Sequence, residues 1–422
     1  TLWMSILAAL TPPFKEYDEE DVSRTCLEGI KLSIRIACMF DLNYAKTSFI
    51  SALVQFQNLH NYEEMKQKNI DSIYIMLELA VSEGDHLGRD AWIQILTSIS
   101  QLERLQLIAQ GVDQDSIPDV TIAKLVTRNS LETSRTSGSF FRSFSSSQTP
   151  SQTAASKFHN QQLSPEVASL LTKTELEVAI DKVFTNSANL SGESIVQFVR
   201  ALSEVAQEEI DSSGQSTNPR TYSLQKVVDI CYYNMSRIRL EWSQLWAAMG
   251  ETFNAVGCHT NPAILFFALD SLRQLSMRFL EIEELAHFKF QKEFLKPFEY
   301  IILHNDSLEV KDMVLECINN MILARADKIK SGWKTIFGVC TAAAKENKES
   351  IVMKAYKMAN WINKEYVEEV RLQDSFSDLV VCFTVMAKNE KFQRVSLLSL
   401  DVLSRLIHEI AQYTVLNTGE DN

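Results

Sequence analysis

The sequence predicts an all-α protein, a HEAT/armadillo-like helical-repeat solenoid interrupted by one disordered insert, and three observations carry that expectation. First, turn residues are scarce: Gly and Pro number 12 and 8 in 422 residues, far under their usual shares of about 7% and 5%. Strand-rich folds need punctuation every 8 to 12 residues or so, whereas long helices with short connections do not. Second, apolar residues recur at helical spacing. Leu27, Ile30, Ile34 and Ala37 step by three or four, as do Leu265, Leu269, Leu272, Leu275 and Phe279, which puts each set on one helix face. Third, Trp3-x-x-Ile6-Leu7, Trp92-x-x-Ile95-Leu96, Trp242-x-x-Leu245-Trp246 and Trp333-x-x-Ile336-Phe337 share one local form. Trp92 follows Trp3 by 89 residues and Trp333 follows Trp242 by 91, each close to two units of about 45 residues, the period of HEAT or armadillo repeats.

Helix boundaries carry matching chemistry. Ser164-Pro165-Glu166 and Asn261-Pro262 set a capping side chain before a proline whose missing N–H costs nothing at the first helical position. Thr174 with Glu177 and Asp306 with Glu309 have capping-box spacing. Gly84, Gly111 and Gly257 follow periodic stretches, where a left-handed residue closes a helix. Thr1-Leu2-Trp3-Met4 opens inside a helical pattern, as expected of a piece cut from a longer chain.

Composition narrows the function classes. Hydrophobic residues are 45% and charged residues 23%, ordinary globular values. A net charge of −13 argues against nucleic-acid binding, which needs a concentrated cationic field. Cys26, Cys38, Cys231, Cys258, Cys317, Cys340 and Cys382 are scattered, with no C-x-x-C, the pattern of free thiols in a reducing compartment. No run of about 18 uncharged apolar residues marks a membrane span.

Catalytic motifs are missing. The chain has no G-x-x-x-x-G-K-[ST], G-x-G-x-x-G or G-x-S-x-G, so neither a phosphate-cradling loop nor a nucleophile elbow is expected. His408-Glu409 begins like a zinc-protease helix, but Gln412 stands where the second histidine belongs. Cys258-His259 has no second pair nearby in sequence. No catalytic residue, cofactor or metal is therefore expected.

Residues 127–163 form a Ser/Thr-rich basic stretch with one acidic residue, Glu132, a composition that cannot build a core. It separates helical repeats at 1–126 from those at 164–422. Arg135-Thr136-Ser137 and Thr149-Pro150 make Ser137 and Thr149 candidate phosphorylation sites, where a phosphate would reverse the local charge. The alternative is a passive tether. Lys289, Lys292 and Lys296 form a candidate basic stripe beside inward-facing Phe290, Phe294 and Phe298, if one helix continues through Pro297. Lys66 and Lys68 are a second candidate contact. An anionic membrane or an acidic partner would suit both sets, and an ordinary solvated face is the alternative.

Several ungapped strings resemble the large brefeldin-A-inhibited Arf exchange factors of the trans-Golgi. They include Cys26-Leu27-Glu28-Gly29-Ile30, Met65-Lys66-Gln67-Lys68-Asn69-Ile70-Asp71 and Ile99-Ser100-Gln101-Leu102-Glu103. Past the insert come Ser223-Leu224-Gln225-Lys226-Val227, Asp270 to Met277, Phe290-Gln291-Lys292 and Ser331-Gly332-Trp333-Lys334. The likeness weakens after about Asn363. No string of the F-R-L-P-G-E type, which carries the family's glutamate finger, is present.

The resemblance places this piece among the homology regions downstream of the catalytic domain and implies regulation. It implies that residues 1 to about 126 bind Arf-GTP, for membrane recruitment, positive feedback and relief of autoinhibition. It also implies a cytoplasmic protein peripheral on trans-Golgi membranes. Neighbouring domains, other small GTPases and a second copy are further expected partners. A structural spacer or dimerisation scaffold, and a peripheral membrane-binding module, are the alternatives.

Overall fold

The computed structural model describes residues 2–112, 164–237, 239–285 and 288–418, and every regular element among them is helical. The insert, with Ser137 and Thr149, lies outside the described residues. The chain divides into two compact units, Thr1–Ser236 and Arg237–Asn422. This division follows packing and is separate from the homology-region division read from the sequence.

The first unit contains α1 (Leu2–Glu16), α2 (Glu20–Met39), α3 (Asn43–Phe56), α4 (Gln67–Ser82), the one-turn α5 (Gly84–Leu87) and α6 (Arg89–Ala109). It continues with α7 (Pro165–Leu171), α8 (Thr174–Thr185), α9 (Gly192–Ser213) and α10 (Tyr222–Asn234). Helices α1, α3, α6 and α9 pack side by side as one layer, and α2, α4, α8 and α10 as another. Contacts of α1 with α2, α2 with α3, α3 with α4 and α9 with α10 close the two layers over a shared core. An amphipathic helix has one apolar stripe to bury, and stacking successive pairs buries all of them continuously.

The second unit repeats the plan. Its helices are α11 (Arg239–Gly257), α12 (Pro262–Leu280), α13 (Gln291–Phe294), α14 (Lys296–His304) and α15 (Leu308–Arg325). They are followed by α16 (Gly332–Ala343), α17 (Glu349–Glu365), α18 (Val367–Leu372), α19 (Phe376–Ala387) and α20 (Gln393–Thr418). One layer is α11, α14, α16 and α19; the other is α12, α15, α17 and α20.

This layering explains the tryptophan spacing. Trp3 and Trp92 open the first and third helices of their layer, and Trp242 and Trp333 do the same in the second unit. The motif therefore returns every second repeat. Trp92, Trp242 and Trp333 are buried to 1%, 2% and 0% exposure. Trp92 meets Phe198 edge-on at 4.6 Å between centroids, and Trp246, one turn after Trp242, stacks on Phe294 at 4.0 Å. Such aromatic pairs add roughly 0.5–1.5 kcal/mol beyond area burial.

The caps are partly as expected. The Ser164 hydroxyl accepts from the Val167 N–H, and the Asn261 side chain accepts from the Ala263 N–H at 2.9 Å. Before α15, however, the cap is Ser307, whose hydroxyl accepts from the Val310 N–H, and not Asp306. Thr174 is already inside α8, behind Lys173 at the cap position. Of the three helix-closing glycines only Gly111 is left-handed, at φ +96°. Gly84 starts a helix, and Gly257 ends α11 in right-handed backbone against Ile301.

Candidate partner-binding surfaces

The sequence candidates fall at two places, and their chemistry differs. At the start of α4, Lys66 caps the helix through its backbone: its N–H donates to Asn69 Oδ1 at 2.7 Å. Its ammonium pairs with Asp18. Lys68, one residue into α4, turns inward. Its ammonium donates to the carbonyls of Phe14 and Tyr17, both at 2.7 Å, pairs with Asp18 at 2.9 Å and lies over the Phe14 ring at 5.2 Å. Those carbonyls belong to the end of α1, where unsatisfied C=O groups favour a cation.

Lys68 therefore ties α4 to α1, with a side chain only 10% exposed. The two lysines hold the Asp18 carboxylate at a pKa of about 2 through hydrogen bonds. Both line a groove of about 750 Å³, whose walls include Phe14, Leu59, His60 and Thr97. Lys66, more than half exposed, remains the free-facing member of the pair.

The stripe in the second unit is broken. The helix does not continue through Pro297: α13 ends at Phe294, and Pro297 sits in the first turn of α14, where a proline fits. Phe290, Phe294 and Phe298 face the core at 4%, 1% and 0% exposure. Lys289 reaches Asp374 at 3.5 Å. Lys292 and Lys296 face a different feature, an open groove of about 460 Å³ that also takes Glu299, Lys334, Lys345 and Asp378. Lys296 pairs with Glu293 at 2.5 Å. Sequence reading missed Lys334 and Lys345 because they arrive on α16 and the turn that follows it, which only the layer packing sets beside α14.

Two buried polar nodes gather residues from several of the resembling strings. In the first unit Glu209 accepts from the Ser223 N–H at 2.8 Å and hydroxyl at 2.7 Å, and from the Ser100 hydroxyl at 2.5 Å. Arg220 lies 3.5 Å from Glu209 and 3.2 Å from Glu103, and donates to the Ser100 carbonyl at 2.7 Å. Burial pushes the Glu103 carboxyl up, against the pull of Arg220. In the second unit Glu284 accepts from the N–H groups of Gln291 and Ser331, at 2.7 and 2.9 Å, and from the Ser331 hydroxyl at 2.6 Å. The Gln291 side chain donates to the Lys328 carbonyl at 2.9 Å and accepts from the Lys330 N–H at 2.7 Å. These are fastenings between helices, since the carboxylate of each node is bonded inside the fold.

Among the described residues no group of three or more His, Cys, Asp and Glu side chains is placed to hold a metal ion. None of the described helices is long and apolar enough to cross a membrane. Among the described residues none of the seven cysteines is in a disulfide, and six of them are buried.

Comparison with known proteins gives concordant matches. Residues 278–361 match a family model described as Sec7-like HDS, Mon2/Sec7/BIG1-like. The chain is 49% identical over 424 residues to the ADP-ribosylation factor guanine nucleotide-exchange factor SEC7 of Saccharomyces cerevisiae, covering 100% of this chain and 21% of that protein. It is 44% identical to the exchange factor sec72 of Schizosaccharomyces pombe, covering 99% of this chain and 22% of the relative. It is 39% identical to the human brefeldin A-inhibited guanine nucleotide-exchange protein 1, covering 97% and 22%. The similarity thus extends past Asn363, and the chain spans about a fifth of the length of the curated relatives it matches.

Proposed function

The chain is homologous along its whole length to one region of the Sec7-type, brefeldin-A-inhibited Arf guanine-nucleotide exchange factors, and we propose that it is a non-catalytic, regulatory region of such a factor. One observation carries this reading: a full-length match at 49% identity to only 21% of an exchange factor. Within it, residues 1–126 receive Arf in its GTP-bound form, which recruits the factor to the membrane where that product accumulates and relieves autoinhibition. The working place is the cytoplasmic face of trans-Golgi membranes, with peripheral attachment. Neighbouring domains of the same factor share the stacked helices as a platform, since a solenoid offers extended faces to several partners.

The test is co-sedimentation of the 422-residue chain with liposomes bearing anchored Arf, loaded with GTP or GDP, beside bare anionic liposomes. Pelleting with the GTP form alone is the expected result, and equal pelleting in the two nucleotide states sinks the proposal. Replacing Lys66 by Glu, with Lys289→Glu as a comparison, separates the two sequence candidates. Lys68 is left intact because it holds α1.

One observation favours the spacer reading instead. Ser100, Glu103, Ser223, Gln291 and Ser331, drawn from the resembling strings, spend their side chains on internal hydrogen bonds or ion pairs rather than on a surface. No pelleting in any arm would leave that reading in front.

A further inference from the structure

The groove between α13–α14 and α16 collects four lysines and no arginine. Lys292 and Lys296 come from one side, Lys334 and Lys345 from the other, and the volume is about 460 Å³, within the range of small-ligand sites. Lys296 is engaged by Glu293 at 2.5 Å. The ammonium groups of Lys292, Lys334 and Lys345 have neither a hydrogen bond nor an ion pair among the described residues. Like charges kept this close repel one another, and an anion between them offsets the repulsion.

The acidic groups of the groove are few. Glu293 is spent on Lys296, while Asp378 and Glu299 complete the set. The Glu299 carboxylate is wedged against Gly338, where a Cβ would stand 2.5 Å from Oε1. Burial pushes its carboxyl up, and Lys296 and Lys334 pull the other way. That leaves three free ammonium groups facing two carboxylates, both of them half-buried.

We propose that this groove binds a phosphate-bearing anion, with Lys292, Lys334 and Lys345 supplying the charge. Lysine acts on phosphate as a point charge, whereas planar carboxylates are gripped best by the guanidinium fork, which the groove lacks. Thr341 adds a hydroxyl to the lining, and Thr335 already donates to the Lys292 carbonyl at 2.8 Å, which holds the backbone under that lysine. This site is independent of the GTPase reading, and the failure of either leaves the other standing.

Phosphate can arrive as a soluble polyphosphate or as a lipid headgroup, and two arms separate these sources. Titration calorimetry of the 422-residue chain with inositol hexakisphosphate reads the first. Flotation with phosphatidylcholine vesicles, with and without phosphatidylinositol phosphate, reads the second. In whichever arm binds, the triple variant Lys292→Gln, Lys334→Gln, Lys345→Gln is expected to weaken binding at least about tenfold, with a smaller salt dependence. Glu299→Gln is expected to tighten it, because it removes a negative charge from the groove lining.

Lys289→Gln, outside the groove and facing Asp374, should change nothing. A loss with Lys289→Gln equal to that of the triple variant, or absence of binding in both arms, overturns the proposal. Binding to poly-glutamate in place of either phosphate probe overturns the phosphate assignment. An unchanged thermal melt of the triple variant confirms that folding is not the cause.

Discussion

The Glu284 carboxylate takes both donors of Ser331, the backbone N–H at 2.9 Å and the hydroxyl at 2.6 Å. Glu209 holds Ser223 in the same two-pronged way in the first unit. In each case a buried glutamate pins the start of a later helix, Ser331 at the cap of α16 and Ser223 in the first turn of α10. A carboxylate taken from water needs its lone pairs filled, and these arrangements fill them with charge-assisted bonds.

Ser331→Ala removes one of those bonds and leaves Glu284 short of a partner. Its expected cost is roughly 1.5–3 kcal/mol, the range for hydrogen bonds to charged groups. Glu284→Gln should cost a similar amount, because its amide N–H₂ would face a donor. The double variant should be less damaging than the sum. Urea unfolding followed by tryptophan fluorescence measures it, and strict additivity would show that the two residues act apart.

Arg220 is the cation of the first node, and Arg220→Met would leave the buried Glu209 and the half-buried Glu103 without it. Stranding a buried charge costs about 3–5 kcal/mol. The loss should depend on pH in a definite direction. Glu103 already binds its proton more tightly folded than unfolded, since burial raises its pKa. Such a group favours the folded state when protonated and loses that contribution as pH rises through its folded pKa. The Arg220→Met chain should therefore regain stability as pH is lowered from neutral toward about 5. A denaturation midpoint that only falls on acidification would contradict this.

Asp18 has the opposite sign. Lys66 and Lys68 hold it at about 2, below its ordinary 3.8, so it stabilises the fold above the ordinary value. That contribution disappears as pH falls from about 4 to about 2. Asp18→Asn should erase this step, which acid titration followed by circular dichroism would register as a shallower loss of helix. Lys68→Met should do more harm than Lys66→Met at neutral pH, because it also frees the carbonyls of Phe14 and Tyr17.

What could be read from the sequence was what local spacing determines. Steps of three and four revealed the buried faces of α2 and α12, and the 89- and 91-residue intervals anticipated tryptophans two repeats apart in a layer. Lys68 was read as surface because its partners lie 51 and 54 residues earlier, and backbone carbonyls leave no mark in a sequence. The lysine stripe rested on a helix running through Pro297. The chain instead breaks at Leu295, so Lys289 and Lys292 meet different neighbours. Lys334 and Lys345 joined the groove only through the packing of α14 on α16.

The tryptophans give the sharpest remaining test of the repeat plan. The indole N–H groups of Trp92, Trp242 and Trp333 are all buried without a hydrogen-bond partner among the described residues, whereas Trp246 donates to the Glu293 carbonyl at 3.2 Å. An unpaired buried donor costs about 1–3 kcal/mol, so packing alone holds these three rings in place. Trp333→Ala should cost about 3–5 kcal/mol, as other aromatic truncations in cores do. Trp333→Phe removes the unpaired donor along with part of the ring, so the relief offsets much of the cavity and the net loss should stay below about 1.5 kcal/mol. Trp246→Phe loses a made bond instead and should be the more costly of the two phenylalanine replacements. Thermal unfolding of the three variants decides it: a Trp333→Phe melt as low as that of Trp333→Ala would mean that the indole N–H is satisfied.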